Sequence, residues 1–216
     1  IDDYLISSGL KKLISLIKKN KNYDLIFFNY IKKINKIKIN LSKKILKKNI
    51  LIKSFLRTDL DMCPNFYLFN RKFLLRKKIF FKKGYYEDIL FILKVFVNIK
   101  NKKHISDKVY EKNQNKKSIT NTFSEKHIID FMHTSFSKYN FFFKKIFNKF
   151  NNVSFSDLQY GLRGDYIFAR KLLSRCQKAD INEEMIDNSY KKIINQNFHA
   201  LTTYDKTVKR ILFLKQ

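Results

Sequence analysis

The segment YDLIFFNYI, residues 23–31, decides how the first part of the chain folds. Its middle is continuously apolar, so the segment is predicted to be a short strand buried on both faces, as strands of a parallel sheet are. Apolar residues ahead of it recur at helical spacing and predict an amphipathic helix from Tyr4 to Asn20: Ile6, Leu10, Leu13, Ile14 and Ile17. A helix that leads into a buried strand indicates an α/β fold.

The pattern is mixed between residues 32 and 57. The stretch KINKIKINL alternates in part like a strand, whereas LSKKILKKNILIKSF is closer to a helical stripe, and both alternatives are open. Residues 65–78 are predicted to be one helix whose apolar side carries Phe66, Phe69, Phe73 and Leu74. An extended piece, residues 79–84, then ends at a glycine.

The next elements alternate in the same way. A helix is predicted from about Tyr86 to Asn98, and a strand over residues 104–113. Another helix begins near Ser124, with Glu125 in its first turn. The helix at residues 86–98 and the strand at 104–113 continue the α/β pattern, and the composition changes at about residue 122.

Residues 123–216 are predicted to be almost entirely helical. The exceptions are GLRGD (161–165) and a loop over residues 179–182. Residues 156–177 carry a helical stripe that two glycines interrupt, which predicts a bend: Leu158, Leu162, Ile167, Leu172 and Leu173. We therefore expect an α/β part over residues 1–122 and a helical extension over residues 123–216.

The chain is strongly basic, with 46 Lys and Arg against 18 Asp and Glu and a net charge of +28 in 216 residues. Such a charge is typical of proteins that bind nucleic acid or anionic membranes. Lys, Asn, Ile, Phe and Tyr are enriched throughout, however, as translation of an AT-rich gene produces. The charge follows no known nucleic-acid-binding motif, so it does not identify the partner.

The two cysteines argue against both a disulfide framework and a zinc site. Cys63 and Cys176 lie far apart and have no histidine at the spacing of metal ligands. No apolar run reaches the length of about 18 residues that predicts a membrane-spanning helix. We expect a cytoplasmic protein, and a place at the inner face of the plasma membrane is an open alternative.

An acidic pair stands out in KKGYYEDILFILKVF, residues 82–96, where Glu87 and Asp88 lie between a basic stretch and a long apolar run. Carboxylates in the first turn of a helix are ordinary helix-start signals, because they meet free backbone N–H groups and the positive end of the helix dipole. The same surroundings keep a carboxylate ionised, so that it can act as a general base towards a hydroxyl group. Both interpretations fit the residues alone.

Three motifs together resemble a known family. The stretches LFNRKFLLRKKIFFKKGYYEDILF and VYEKNQNKKSIT follow each other at the distances found in family 2 inverting glycosyltransferases of the GT-A fold. The opening residues IDDYLI are similar to the aspartate-rich metal motif of that family. The resemblance covers residues 1–122 and implies the later part of a Rossmann-like GT-A domain.

The resemblance implies a metal site at the start of the chain. Asp2 and Asp3 would hold Mg²⁺ or Mn²⁺ against the diphosphate of a nucleotide sugar, because hard cations prefer carboxylate oxygens. Lys112, Lys116 and Lys117 lie where relatives carry arginines near the phosphates. Lysine supplies charge without the bidentate geometry of arginine, and a solvated loop is the alternative interpretation.

The resemblance also implies a catalytic pair and an acceptor site. Asp88 would be the general base, and Glu87 would orient the base or the acceptor. Tyr85, Tyr86 and Asn65 would line the acceptor site, although packing in the core is the commoner role of such tyrosines.

We therefore expect a transferase that moves a sugar, with inversion, from a nucleotide-sugar donor to a glycan or lipid-linked acceptor in bacterial surface polysaccharide or lipooligosaccharide synthesis. The nucleotide-binding units that precede the aspartate motif in the family are not in this sequence. We accordingly expect a fragment of a longer reading frame, inactive by itself, with a degenerate gene product as the alternative. The alternative function is a basic, aromatic-rich module without catalysis that binds single-stranded nucleic acid or a membrane surface.

One aromatic segment could contact lipid. KYNFFFKKIFNKF, residues 138–150, interleaves phenylalanines with lysines, as segments in an anionic membrane interface do. The equal alternative is a helix that packs its aromatic face on the rest of the protein.

Overall fold

A sheet organised around Leu25–Ile34 forms the framework of the first part of the chain in the computed structural model. The structure describes residues 3–20, 22–34, 37–41, 48–57, 59–60, 62–113, 123–145, 153–176 and 180–197. The strands are β1 (Tyr4–Leu5), β2 (Leu25–Ile34), β3 (Ile37–Leu41), β4 (Tyr67–Phe69) and β5 (Lys102–Lys112). The helices are α1 (Ser7–Lys19), α2 (Lys48–Leu56), α3 (Arg71–Lys77), α4 (Glu87–Asn98), α5 (Glu125–Lys145), α6 (Phe155–Arg175) and α7 (Glu183–Asn197).

The predicted strand at residues 23–31 is confirmed as β2, which lies in the middle of the sheet. The order is β1-β5-β2-β3, and β4 also pairs with β2. β2 and β5 run parallel, while the other pairs are antiparallel. The apolar side chains of β2 from Leu25 to Phe28 are at most 4% exposed. A strand covered on both faces explains why this segment is continuously apolar rather than alternating.

Helix α1 packs closely on the sheet. Leu13 joins Ile26, Phe28 and Val109 in one buried cluster. Gly9 makes the approach possible, because a Cβ atom there would lie 2.1 Å from the carbonyl oxygen of Lys108. The predicted start of this helix at Tyr4 is wrong, since Tyr4 and Leu5 pair with β5 and the helix begins at Ser7.

The helix predicted over residues 65–78 is also wrong in its first half. Pro64–Phe66 forms a 3₁₀ turn, and β4 follows before α3 begins. Asn70 separates the strand from the helix, because its side chain accepts hydrogen bonds from the backbone N–H groups of Lys72 and Phe73. An N-cap of this kind starts a helix where apolar spacing alone would have extended it backwards.

The mixed pattern of residues 32–57 covers the end of β2, then β3 and then α2. KIKIN lies largely in β3, and the later part of LSKKILKKNILIKSF forms α2. The predicted helix at residues 86–98 and the strand at 104–113 are confirmed as α4 and β5. The helix predicted from Ser124 is confirmed as α5.

The chain divides into two compact units. The first consists of Ile1–Lys48, Asp61–Phe80 and Lys94–Thr122, and contains the sheet. The second consists of Asn49–Leu60, Phe81–Leu93 and Phe123–Gln216, and its described part is helical. The boundary expected near residue 122 stays a prediction.

The prediction of a break at GLRGD is wrong, because residues 161–165 lie inside the continuous helix α6. Gly161 is there for close packing: a Cβ atom would lie 2.3 Å from the carbonyl oxygen of Leu56 in α2. Ile167, one of the residues of the apolar stripe seen in the sequence, is 53% exposed.

Two buried carboxylates of α6 join it to other helices of the second unit. Asp165 pairs with Lys138 of α5, and both side chains are buried. Asp157 receives the guanidinium of Arg57 at 3.2 Å and the ammonium of Lys53 at 3.4 Å. Within the described residues, none of the helices combines the length and the apolar character needed to cross a membrane.

Candidate functional site

A polar cluster lies at one end of the sheet in the first unit. The carboxylate of Asp3 accepts hydrogen bonds from the Tyr110 hydroxyl at 2.5 Å and from the Asn113 backbone N–H at 3.0 Å. The Asn65 side-chain amide donates to the same Tyr110 hydroxyl at 2.9 Å. We call these four residues the Asp3 cluster. The structure thus brings together Asp3 and Asn65, two residues singled out in the sequence.

Strand directions explain why the cluster forms. β1 runs antiparallel to β5, so Asp3, just ahead of β1, lies beside the carboxyl end of β5. β4 runs antiparallel to β2, so Asn65, just ahead of β4, lies towards the carboxyl end of β2. Ligands of open α/β sheets bind outside the carboxyl ends of parallel strands, which is the position of the Asp3 cluster.

Tyr110 acts as a hydrogen-bond donor to Asp3. Burial and the hydrogen bond to Asp3 raise the pKa of Tyr110 well above its usual value, and the hydrogen bond from Asn65 offsets this only in part. The phenol therefore stays protonated over the physiological range. A protonated Tyr110 and the Asn113 amide together fix the orientation of both Asp3 oxygens.

Two lysines approach one phenylalanine beside the cluster. Phe66 stacks on Tyr30, with the ring centroids 3.5 Å apart. The ammonium groups of Lys32 and Lys112 lie 5.7 and 5.9 Å from the centroid of the Phe66 ring. Lys32 and Lys112 are also register partners across the parallel strands β2 and β5. This end of the sheet therefore carries positive charge next to the Asp3 carboxylate.

Of the residues in the Asp3 cluster, the Asp3 carboxylate is suited to bind a divalent cation. Mg²⁺ is commonly held by one or two carboxylates, with phosphate and water oxygens completing the shell, and ligating carboxylates are usually oriented by hydrogen bonds like those on Asp3. Asp3 thus fits as one ligand. Asp2, Lys116 and Lys117 lie outside the described residues, and within those residues no group of three His, Cys, Asp or Glu side chains converges.

The acidic pair lies in the second unit, in the first turn of α4. Tyr86, the residue ahead of the pair, has a left-handed backbone with φ of 60°, and its carbonyl accepts the Ile89 N–H at 3.2 Å. Burial and the charge of Asp88 raise the pKa of Tyr86 to about 12. The chain therefore turns sharply into α4, and Asp88 lies close enough to a neutral phenol to affect its ionisation.

Glu87 lines a groove of about 270 Å³ between the turn ahead of α4 and one face of α5. We call it the α4–α5 groove. Its wall includes Lys82, Lys83, Gly84, Tyr85, Leu90, Ile129, Asp130, His133, Thr134 and Ser137. The groove is thus lined by two carboxylates, the hydroxyl-bearing side chains of Thr134 and Ser137, and the ring of Tyr85, which are groups that can hydrogen-bond to or pack against a polyhydroxylated ligand.

Asp130 is held ionised in this groove. Burial raises the pKa of its carboxyl, but the hydrogen bonds from the Tyr85 N–H at 2.8 Å and from Lys126 outweigh burial and bring the pKa below the ordinary value. Gly84 is required beside it, because its φ is 133° and a Cβ atom would lie 3.0 Å from an Asp130 oxygen.

The two predicted acceptor tyrosines have packing roles as well. The Tyr85 ring stacks on His127 with a centroid distance of 3.6 Å. Tyr86 makes edge contacts with Phe131 and Phe168 at 5.1 and 5.9 Å. Tyr85 still lines the groove, whereas Tyr86 does not belong to its wall.

Sequence reasoning missed Tyr110, Asn113, Asp130 and His133. Tyr110 and Asn113 end the predicted strand at 104–113, and polar residues at the carboxyl end of a strand are a usable signal for a site. Asp130 and His133 show no pattern in the sequence, because their place in the groove depends on the packing of α5.

Comparisons with known proteins give little further identification. No family model matches the chain, and no curated protein matches it. A crystal structure of S. aureus TarS, residues 1–349 in complex with UDP-GlcNAc, is similar with a TM-score of 0.44 and 12% identity over 92% of this chain. The chain spans 66% of the length of that structure. A likeness at this level assigns no activity.

Proposed function

We propose that the chain is part of an inverting, nucleotide-sugar-dependent glycosyltransferase of the GT-A type, related to family 2. Support comes from the motifs DDYL, GYYED and KKSIT and from the order of helix α1 and buried strand β2, which agrees with the sequence prediction. The observation that carries the proposal is the Asp3 carboxylate. It is fixed by Tyr110 and Asn113 at the carboxyl end of a parallel strand pair, where a metal-binding aspartate is needed.

The Asp3 cluster would serve the donor. When bound, Mg²⁺ or Mn²⁺ neutralises the charge that develops on the departing diphosphate. Asp3 would hold the cation, while Tyr110 and Asn113 keep its carboxylate oriented. Lys112 and Lys32 add positive charge for the diphosphate at the same end of the sheet.

The acidic pair at the start of α4 would act on the acceptor. The acceptor hydroxyl oxygen attacks the anomeric carbon, the bond from that carbon to the diphosphate breaks, and the hydroxyl proton passes to the Asp88 carboxylate. One displacement inverts the anomeric configuration. Glu87 and the other polar groups of the α4–α5 groove would bind the acceptor, for which we propose a glycan or lipid-linked saccharide of the bacterial surface.

The test uses the longest reading frame that contains this chain, assayed for release of nucleoside diphosphate from a panel of nucleotide sugars. We expect release that depends on Mn²⁺ or Mg²⁺ and that falls at least about a hundredfold in Asp3→Asn, because the variant loses charge at the metal. Asp107→Asn is the control: it removes the same charge from the same unit, where Asp107 pairs with exposed Lys12.

The proposal is wrong if no nucleotide sugar is bound or cleaved by that protein with either metal present. It is also wrong in its metal site if Asp3→Asn and Asp107→Asn retain equal activity.

A further inference from the structure

Helix α6 presents an exposed ridge on the side opposite to its buried stripe. The ridge residues recur every three or four positions, so they lie along one line of the helix: Ser156, Tyr160, Arg163, Ile167, Lys171 and Ser174. Tyr160 and Ile167 are 54% and 53% exposed, which is high for apolar side chains on a helix that is otherwise well packed. We call this line the α6 ridge.

The α6 ridge carries only positive charge. The two carboxylates of α6, Asp157 and Asp165, lie on its buried side and are paired with cations of other helices. The guanidinium of Arg57 lies 4.9 Å from the centre of the Tyr160 ring, but it is paired with Asp157 and Asp59 and does not belong to the positive charge of the ridge. The ridge therefore alternates exposed apolar groups with cations and contains no acidic residue.

We infer that the α6 ridge binds the surface of an anionic lipid bilayer. A helix in a membrane interface places apolar and aromatic side chains at the acyl boundary, while Lys and Arg meet the lipid headgroups. Tyr160 and Ile167 supply the first kind of contact, and Arg163 and Lys171 supply the second. An aliphatic side chain such as Ile167 offers nothing to phosphates or bases, so the ridge favours lipid over nucleic acid.

The ridge is a different surface from the aromatic segment 138–150 singled out in the sequence. In the described part of that segment, Lys138, Tyr139 and Phe142 are at most 3% exposed, so those side chains are inside the helical unit. The inference is also independent of the proposed transferase activity, because none of the ridge residues belongs to the Asp3 cluster or to the α4–α5 groove.

Sedimentation with phosphatidylcholine vesicles, with and without about a quarter phosphatidylglycerol, tests the inference on the full chain. We expect binding only to the anionic vesicles. Arg163→Gln/Lys171→Gln should weaken this binding about thirtyfold, from about 1 kcal/mol for each basic residue near the surface. Tyr160→Ser/Ile167→Ser should abolish the part of the binding that persists at high salt, since screening leaves only the apolar contact.

Matched controls come from exposed residues of α7 in the same unit. Lys191→Gln/Lys192→Gln removes two charges, and Met185→Ser removes one exposed apolar side chain; each should change binding less than about threefold. Equal weakening by the α7 and ridge variants would overturn the inference in favour of diffuse basicity. Unchanged vesicle binding in both ridge variants would also overturn the inference. So would a loss of poly-U binding in those variants that matches their loss of vesicle binding. Unchanged melting temperatures confirm that the variants are folded.

Discussion

Asp88 and Glu87 are neighbours in sequence, but adjacent residues of a helix point about 100° apart. The proposed mechanism therefore gives proton transfer to Asp88 alone, with Glu87 binding another part of the acceptor. Glu87 lines the α4–α5 groove, and Asp88 acts on the ionisation of Tyr86. The pair is thus divided into two environments by the geometry of one helical turn.

In the longest reading frame, we expect Asp88→Asn to reduce turnover by at least about a hundredfold, because loss of a general base costs 10² to 10⁴ in rate. The melting temperature and donor binding should change little, since asparagine keeps the shape and part of the capping capacity. Glu87→Gln should have a smaller effect. Steady-state kinetics and thermal melts of both variants make the comparison, and turnover within a few-fold of wild type in Asp88→Asn would leave the pair as an ordinary helix start.

The two glycines of α6 differ in how closely the rest of the protein packs against them. Gly161 lies against the backbone of Leu56, whereas a Cβ atom at Gly164 would meet nothing within 4 Å. Both residues interrupt the helical pattern in the sequence in the same way. Contacts with parts of the chain that are remote in sequence distinguish them: the Leu56 backbone of α2 and, at 3.0 Å, the Tyr139 hydroxyl of α5.

We expect Gly161→Ala to lower the free energy of unfolding by about 2 kcal/mol or more, because α2 and α6 must move apart to admit the methyl group. Gly164→Ala should raise it by about 0.5–1 kcal/mol, as alanine does in an open helix interior. Urea unfolding of both variants measures the difference. Equal effects of the two substitutions would show that α2 and α6 do not approach at Gly161.

The same contrast shows what the sequence could predict. Local patterns were sufficient for β2, α4, α5 and β5, because the apolar period of each element reflects its own burial. They failed at residues 65–70, where Asn70 divides an apolar stripe into a strand and a helix. In the candidate site, Asp3 and Asn65 could be proposed from motifs, but Tyr110 is 107 residues from Asp3 and joins it only through the pairing of β1 with β5.

At the scale of the whole molecule, the balance of charge makes each buried carboxylate important. In a chain of net charge +28, Asp157 is 1% exposed at its side chain and pairs with Arg57 and Lys53. Burial raises the pKa of Asp157, but hydrogen bonds from Ser154, Arg57 and Lys53 outweigh it and bring the pKa below the ordinary value. The ionised form is therefore the one that stabilises the fold.

A lowered pKa in the folded state means that this contribution is complete above the unfolded pKa of about 4 and is lost as the pH falls through the folded value. We expect Asp157→Asn to lower the free energy of unfolding by about 1–3 kcal/mol at pH 7. The difference in the free energy of unfolding between wild type and Asp157→Asn should decrease steadily below about pH 4. Urea unfolding measured across this pH range tests the prediction, with Asp180→Asn at an exposed position as the control. A difference in the free energy of unfolding that does not change with pH would contradict a stabilising role of the ionised Asp157 carboxylate.

The buried pair of Lys138 and Asp165 has a consequence for how the protein emerges from the ribosome. Asp165 is synthesised 27 residues after Lys138, a delay of roughly 1–5 s at about 5–20 residues per second. During that interval Lys138 has no carboxylate from α6 to accompany it into the interior, and burying a lone ammonium group is unfavourable. We therefore expect the nascent α5 to keep this side chain in water, and the helical unit to close only after the second half of α6 has been made.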